Sequence, residues 1–434
     1  MSGRPEALPL GGAGHATTRR GALLRFLPWS GGLAVAVAAP LVFSSSFAVS
    51  LLSQMGIGIV FALSFNMLLG QGGMLSFGHA VFFGLGGFAA IHSIGALDEN
   101  AFPVPLELLP LVGAAAGLAS GTLFGAVAAR RAATAFAMIT LGLGELVSTA
   151  AFMFVGFFGG ESGVSADRMG KFRLLPFTYG PNLQVYYLIV FWTLVAAWLM
   201  WQQTRTPLGR MANAVRDNAE RAQFVGYDPY RVRFGQFALA ALFAGLAGGL
   251  FAINQELVNF EAVGAAQAAS ALLMATIGGV RNFYGPVLGA VVVTLLQSTL
   301  SLVTGAWVLY FGVIFLAVVT FAPAGLAGIV SLHAAPMRAG LLHRLALPYF
   351  RALPPALLLL AGFVLLVEMA YALSSGQSGP ARVLWTAWDP RGGPAWVIAA
   401  AAFVAGVLWL RRKAGGVRAA WAGVDAALKQ RGTA

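Results

Sequence analysis

Long apolar stretches recur along almost the whole chain, and short polar segments separate them. A membrane-spanning helix needs roughly 20 mostly apolar residues, so this pattern predicts about twelve apolar helices. We place them at 31–48, 50–70, 79–96, 106–128, 132–158, 183–201, 234–253, 265–279, 285–303, 306–322, 353–373 and 394–410. Only a serine-rich run separates the first two, and the eighth is short enough to be re-entrant.

The composition agrees with a membrane protein. Hydrophobic residues make up 59% of the 434 residues and charged residues only 10%, whereas soluble domains have about 45–50% and about 25%. We therefore predict an all-α polytopic membrane protein, with about ten transmembrane or re-entrant helices in a core and two extra C-terminal spans. The absence of cysteine excludes disulfides and thiolate chemistry.

Basic residues cluster in alternate loops between the predicted spans. The net charge of +12 would suggest a nucleic-acid partner in a soluble protein, but the positive-inside rule explains it here, and we expect no nucleic acid. Both termini are then predicted to be cytoplasmic. The predicted organisation is a basic N-terminal segment at 1–30, a core at 31–331, a basic linker at 332–352, and a C-terminal extension at 353–434 with two spans and a cytoplasmic tail.

Two glycine-dense segments, 70–79 and 278–286, interrupt the apolar pattern. Glycine weakens helix continuity and proline cannot continue the hydrogen-bond ladder, so each should be a turn or an unwound segment. Paired interruptions often mark the pathway in transporters, although tight loops between helices explain them equally well. Asn66, Gln71 and His79 lie around the first interruption and can line a path or bond between helices; for His79 alone, helix packing is the simpler interpretation.

Glu145 lies near the centre of the predicted span 132–158. An ionisable group there costs about 2.5 to 3.5 kcal/mol on insertion scales. Its small neighbours Gly142, Gly144 and Ser148 allow another helix to approach closely. Two interpretations stay open: a group that faces the translocation path or joins two helices, and a protonated structural carboxyl.

The residues provide no hydrolytic machinery. None of the three lysines, Lys171, Lys413 and Lys429, lies in a G-x-x-x-x-G-K-[ST] motif, so we expect no ATP hydrolysis by this chain and no cofactor in it. No catalytic triad, paired-carboxylate cleft or metal-ligand cluster can be assembled, which predicts a protein that is not an enzyme and holds no metal.

The central polar segment 206–226 predicts an amphipathic helix. Thr206 is a suitable N-cap before Pro207, and Gly226 suits the end. Steps of three and four define one apolar face, formed by Leu208, Met211, Val215, Ala219, Ala222 and Val225. Such a helix either rests on the membrane surface or docks in a groove of a partner protein.

Within this segment, Glu220-Arg221-Ala222 and Gly226 resemble the E-A-A-x-x-x-G loop of ATP-binding-cassette importer permeases, with arginine in place of the middle alanine. Four longer stretches, ALSFNMLLGQGGMLSFGHA, TAFAMITLGLGELVSTAAF, TPLGRMANAVRDNAERAQFVGYDP and LLMATIGGVRNFYGPVLGAVV, resemble the branched-chain amino acid permeases of the LivM type. They occur in the same order, and the resemblance covers residues 57 to about 330.

The resemblance implies an importer subunit for branched-chain or related small amino acids in the bacterial inner membrane. It implies a second permease subunit, two cytoplasmic ATP-binding subunits that bind ATP and magnesium, and a periplasmic substrate-binding protein. It also assigns ATPase coupling to Arg216, Asp217, Glu220 and Gly226, and it matches four candidate path residues to family motifs, Asn66, Gln71, His79 and Glu145.

The alternative is an ion-coupled secondary transporter of small polar solutes, because twelve spans with a long loop after the sixth suit that layout. It expects titratable groups in the membrane, and only Glu145 and Glu368 are available. A membrane-embedded enzyme that uses His79 and Glu145 has little further support.

The C-terminal extension departs from the family. The spacing of apolar residues over 417–428 predicts either a short interfacial helix or a disordered tail.

Overall fold

The computed structural model describes residues 19–96, 104–169, 172–375, 381–383 and 386–430, and at 19–28 and 381–383 it describes the backbone alone. Residues 1–18 of the predicted N-terminal segment lie outside the described residues. Two compact units divide the chain, 1–49 and 50–434. The first contains helix α1, Arg19–Val42, and a break in which Ser45 Oγ accepts a hydrogen bond from the Ala48 N–H at 3.2 Å. The next helix begins at Ser46, so the serine-rich run forms a turn as predicted.

The remaining helices of the core are α2 Ser46–Asn66, α3 Ala80–Ala96, α4 Leu109–Ala128, α5 Ala133–Met153, α6 Val155–Phe158, α7 Asn182–Gln203, α8 Pro207–Asp217, α9 Ala219–Phe224, α10 Pro229–Gln255, α11 Ala265–Gly278, α12 Gly285–Val303, α13 Trp307–Phe321 and α14 Gly325–Arg338. A π-helical turn, Met67–Gln71, continues α2. Two 3-10 turns lie at Leu106–Leu108 and Phe260–Val263, and strand β1, Val164–Ser165, pairs antiparallel with β2, Leu257–Val258.

The C-terminal extension is a helical hairpin. Its helices are α15, His343–Ser374, and α16, Gly393–Gln430, and the short antiparallel pair β3, Ala381–Val383, and β4, Thr386–Trp388, lies between them. The predicted linker 332–352 is largely helical, because α14 continues to Arg338 and α15 begins at His343.

The spans confirm an all-α polytopic membrane protein. Among the described residues, eight helices are long and apolar enough to cross a membrane, and the pair α13–α14, bent by 44°, counts as a ninth. Three shorter apolar helices lie at Trp29–Val42, Ala80–Ala96 and Ala265–Gly278. All twelve predicted positions are therefore occupied. The fifth span is shorter than predicted, because Phe154 leaves the helical conformation (φ −86°, ψ 69°) and α5 ends at Met153.

Helix α10 forms the centre of the core, because 83% of its most apolar stretch of 18 residues is buried. Small residues allow α3 and α4 to approach it at backbone distance: a Cβ at Gly117 of α4 would lie 2.8 Å from the Cα of Gly245, and one at Gly86 of α3 would lie 2.5 Å from the same atom. Packing between small residues is a common way to join membrane helices, because the hydrophobic effect does not drive their association within lipid.

A polar network fixes the loop between α6 and α7 onto the end of α10. The buried Arg168 guanidinium donates hydrogen bonds to the carbonyl oxygens of Tyr179 (2.7 Å) and Ile253 (3.0 Å), and the Arg168 N–H donates to the Glu256 carboxylate (3.0 Å). The Tyr179 hydroxyl donates to the Glu107 carboxylate at 3.0 Å. Burial, together with this carboxylate, raises the pKa of Tyr179.

The extension is joined to the core by hydrogen bonds within the apolar region. The Tyr310 hydroxyl of α13 donates to one oxygen of the Glu368 carboxylate at 2.8 Å, and the Thr304 hydroxyl donates to the other at 3.1 Å. Helix α16 runs without a break to Gln430, and Val424 and Leu428 are buried in a cluster with Leu341 and Leu345. The apolar residues predicted to form a separate interfacial helix are thus part of α16, and their face is covered by the same chain.

Candidate functional site

The segment predicted as one amphipathic helix consists of two helices, α8 and α9, which together with the turn up to Gly226 we call the coupling segment (207–226). The Thr206 hydroxyl accepts a hydrogen bond from the Gly209 N–H at 3.3 Å, as predicted for an N-cap. The expectation of a continuous helix is wrong at Asn218, which has an extended backbone (φ −160°, ψ 102°) and whose side chain accepts from the Arg221 N–H at 2.9 Å. Asparagine favours such caps because its side chain replaces a missing backbone acceptor.

The coupling segment ends at Gly226, as predicted. Gly226 has φ +91°, a left-handed conformation that favours glycine. Its N–H donates to the Gln223 carbonyl at 2.8 Å, and the Tyr227 N–H donates to the Ala222 carbonyl at 3.1 Å. These two bonds form a Schellman motif, which gives the chain a defined exit from α9.

One face of the coupling segment is packed against the core. Ala212, Val215 and Ala222 form a buried cluster with Val232 of α10. The predicted apolar face is wrong at Val225, which is 70% exposed because the chain has already left the helix; the preceding Phe224 is 91% exposed. Two adjacent apolar side chains at the end of α9 are therefore available to a partner.

The four predicted coupling residues have different surroundings. Arg216 forms an ion pair with Asp217 at 2.9 Å and donates a hydrogen bond to the Gly70 carbonyl at the π-helical turn. Asp217 and Glu220 are exposed, and Glu220 lies in the first turn of α9, where a negative charge interacts favourably with the helix dipole. Arg216 thus joins the coupling segment to the core at Gly70, whereas Asp217 and Glu220 are largely exposed at the surface.

The two glycine-dense interruptions lie together. A Cβ at Gly70 would overlap both the Asn66 side-chain oxygen and the Val280 carbonyl oxygen, which belongs to the second interruption. At Gly73, with φ +63°, a Cβ would lie 2.6 Å from the Arg216 side chain. The first interruption begins with the π-helical turn at the end of α2, and both interruptions meet beside the coupling segment.

Gln71 belongs to a buried chain of amide side chains. Gln203 of α7 donates to the Gln236 side-chain oxygen at 2.7 Å, and Gln236 of α10 donates to the Met67 carbonyl at 2.8 Å and to the Gln71 side chain at 3.3 Å. This chain connects the π-helical turn with α7 and α10. Gln203 and Gln236 were not singled out by the sequence, where uncharged amides attract little attention.

Asn66 and His79 are buried. His79 is fully enclosed by rings, stacked on Phe61 at 5.6 Å between centroids, and its Nε2 lies 2.9 Å from Ser64 Oγ. Because the Ser64 hydroxyl proton is directed to the Phe61 carbonyl at 2.7 Å, Nε2 is the donor in this pair. Within the described residues, His79 Nδ1 and the Asn66 side-chain oxygen have no hydrogen-bond partner.

Glu145 is exposed on α5, and no hydrogen bond or ion pair reaches it from the described residues. Of its small neighbours, Gly144 meets the core, where a Cβ would lie 3.2 Å from the Gly78 Cα. Gly142 has nothing within 4 Å of a Cβ position. The side of α5 that carries Glu145 is therefore not covered by the described part of the chain.

A large cavity of about 1000 Å³ lies between α2, α10, α11, α12 and α13. Its wall combines aromatic and aliphatic side chains with one carboxylate, Glu261, and with uncharged polar groups, mainly Gln54, Gln255, Gln267, Ser270, Thr294 and Gln297. None of the four predicted path residues lines it, although Ser148, one helical turn from Glu145, does. In the described chain, no group of three or more His, Cys, Asp or Glu side chains could hold a metal ion.

These features define a multi-pass membrane protein with a cavity between helices and a structured polar segment docked beneath them. The model of the branched-chain amino acid transport system permease component family matches residues 47–323. The chain belongs to this family.

Curated relatives agree with this assignment. The chain is 27% identical over 239 residues to the high-affinity branched-chain amino acid transport system permease protein LivM of Salmonella typhimurium and 26% identical to that of Escherichia coli, and each match covers 50% of this chain and 56% of the relative. It is 28% identical over 134 residues to a probable branched-chain amino acid transport permease protein LivH of Methanocaldococcus jannaschii, covering 29% of this chain and 42% of the relative. The chain thus spans about half the length of the curated relatives it matches. No solved structure matches it.

Proposed function

We propose that this chain is the permease subunit of an ATP-binding-cassette importer for branched-chain or related small amino acids. In this proposal it lies in the bacterial inner membrane with both termini in the cytoplasm. A second permease, two cytoplasmic ATP-binding subunits that hold ATP and magnesium, and a periplasmic binding protein complete the importer. Family membership supports the assignment as a permease subunit of an importer. The coupling segment supports the proposal that separate ATPase subunits drive it.

The observation that carries the proposal is the connection between the coupling segment and α2. Arg216 contacts the π-helical turn at Gly70, whereas Gln54, Gly58 and Phe61, further back along α2, line the cavity. The distance from residue 54 to residue 70 is about 24 Å at 1.5 Å per helical residue. A force on the coupling segment can therefore reach the cavity through one continuous helix.

The cavity wall supports the proposed substrate class. Amide and hydroxyl groups can form hydrogen bonds with the charged ends of an amino acid without holding either end strongly, and the apolar wall accommodates an aliphatic side chain. Neither Glu145 nor Glu368 lines the cavity. Glu261 does line it, so the cavity by itself does not separate the two mechanisms, and it is family membership that favours the importer over the ion-coupled alternative.

The proposal is tested by transport into proteoliposomes. The chain is reconstituted with the co-encoded permease, ATP-binding subunits and binding protein, and uptake of labelled leucine is measured with ATP or with a proton gradient. We expect uptake with ATP alone, and none with a proton gradient alone. Leucine uptake by the isolated chain, without any ATPase, would refute the proposal.

The docking role of the coupling segment is tested by Phe224→Asp and Glu220→Lys. Because both side chains are exposed, we expect normal insertion, together with a loss of ATPase binding of about tenfold, which corresponds to about 1.4 kcal/mol. Gln223→Asp, which adds the same charge at the neighbouring exposed position, is the matched control and should change binding less than threefold. Equal ATPase binding by all variants in pull-down experiments would contradict docking at this surface.

A further inference from the structure

The exposed side of α5 carries a regular stripe of residues, which we call the α5 stripe: Ala135, Met138, Gly142, Glu145, Thr149 and Phe152. All six are exposed, and steps of three and four alternate along the helix. Alternation of this kind produces a straight seam that suits another helix. The buried residues of α5, such as Phe136 and Val147, lie on the opposite side.

The position of Glu145 argues against lipid as the cover of this stripe. It is the thirteenth of the 21 residues of α5, so it lies about 3 Å from the middle of the helix at 1.5 Å per residue. Ionisable groups at this depth almost always face protein or a water-filled space. Yet no group of the described chain pairs with Glu145, and it does not line the cavity.

The stripe also has the shape of a helix-packing surface. Gly142 has open space where a side chain would be, one turn from the carboxyl, and Thr149 and Ala135 are small. Small residues around a polar one allow a second helix to approach closely enough to form a hydrogen bond. The core uses the same device between Gly117 and Gly245, where the facing helix is present.

We infer that the α5 stripe is the contact surface for the second permease subunit, and that this subunit supplies a hydrogen-bond donor or a cation to Glu145. The inference rests on the proposed function, which requires such a subunit. A second copy of this chain fits less well: in a symmetric contact, the centre of the stripe would meet itself and place two Glu145 carboxyls together. Because the proposed importer contains a second permease subunit, that different chain is the partner we assign to the stripe.

The cysteine-free sequence allows a direct test by site-specific crosslinking. Gly142→Cys and Thr149→Cys place one benzophenone maleimide each on the stripe, and Leu123→Cys, at a residue 67% exposed on α4, is the control. In the complete complex, we expect both stripe positions to crosslink to one helix of the co-expressed second permease, at least tenfold more than position 123. Crosslinks to lipid alone, to a second copy of this chain, or equally from all three positions would overturn the inference.

A second measurement examines Glu145 itself. Glu145→Gln keeps a hydrogen-bonding side chain and should retain the complex, whereas Glu145→Leu should reduce recovery of the second permease with the tagged chain about tenfold, equal to about 1.4 kcal/mol. Equal recovery with Leu and Gln would overturn the role of Glu145. These results can be distinguished from those of the transport assay. ATP-driven uptake without stripe crosslinks would refute only this contact surface. Stripe crosslinks without ATP-driven uptake would refute only the proposed transport function.

Discussion

Helices α5 and α15 each carry one glutamate within an apolar span, but the two carboxyl groups have different surroundings. Glu368 of α15 accepts hydrogen bonds from the hydroxyls of Tyr310 and Thr304. Glu145 of α5 is exposed and receives none from the described part of the chain. Hydropathy treats the two residues alike. The comparison shows that the cost of a membrane carboxyl is offset by groups distant in sequence, within the chain for α15 and, in our inference, outside it for α5.

The largest expected difference concerns the glycines of these helices. Gly362→Leu in α15 places a side chain where a Cβ would already lie 2.5 Å from the Phe403 backbone nitrogen, so α15 and α16 must separate. Overpacking costs about 1 to 3 kcal/mol, and more where backbone atoms clash. Gly142→Leu in α5 meets open space. Thermal unfolding of the purified chain in detergent should show a strongly lowered Tm for Gly362→Leu and no decrease for Gly142→Leu; equal decreases would contradict the comparison.

A smaller difference is expected for the two glutamates. Glu368→Leu removes the acceptor for two hydroxyl groups and should destabilise the isolated chain by about 1 to 2 kcal/mol. Glu145→Leu removes an unpartnered carboxyl from the middle of a span, and the isolated chain should be equally stable or more stable. Resistance to unfolding by a denaturing detergent measures both variants under the same conditions. A loss of stability in Glu145→Leu equal to that in Glu368→Leu would show that the isolated chain already satisfies both carboxyls.

The smallest expected effect isolates one hydrogen bond of α15. Tyr310→Phe removes the hydroxyl that reaches Glu368 and keeps the aromatic ring. Hydrogen bonds between membrane helices contribute about 0.6 kcal/mol on average, so the decrease in stability should be of that size. If the Tyr310→Phe and Glu368→Leu changes are combined, the effects should not add, because they remove the same interaction.

The sequence was sufficient to place the membrane helices, because apolar length alone determines which segments can enter a bilayer. It also predicted the ends of the coupling segment, where Thr206 and Gly226 have local chemical roles. The break at Asn218 was missed, since the apolar period continues across it. Asn218 followed by Glu220 is itself a recognisable helix-start signal, and it could have revealed the second helix.

The candidate path was harder to predict. A search for ionisable residues within the predicted spans selects His79 and Glu145, but the cavity is lined mainly by uncharged amides such as Gln54 and Gln297, and its carboxylate, Glu261, lies outside those spans. These residues come together only through the packing of five helices, which periodicity does not specify. The same reason explains the tail, where the apolar face of Val424 and Leu428 is covered by Leu341 and Leu345 rather than by lipid headgroups.

The length of α16 has a mechanical consequence. Its 38 residues extend about 57 Å at 1.5 Å per residue, whereas the hydrocarbon layer is about 30 Å thick. Nearly half of this helix therefore extends beyond the hydrocarbon layer, and its end is held there by the contacts of Val424 and Leu428 with Leu341 and Leu345. Gly415 and Gly416 lie in the protruding half with no neighbour within 4 Å of either Cβ position. Paired glycines are a site where helices bend, so α16 is most easily bent at this point, between its membrane half and its docked end.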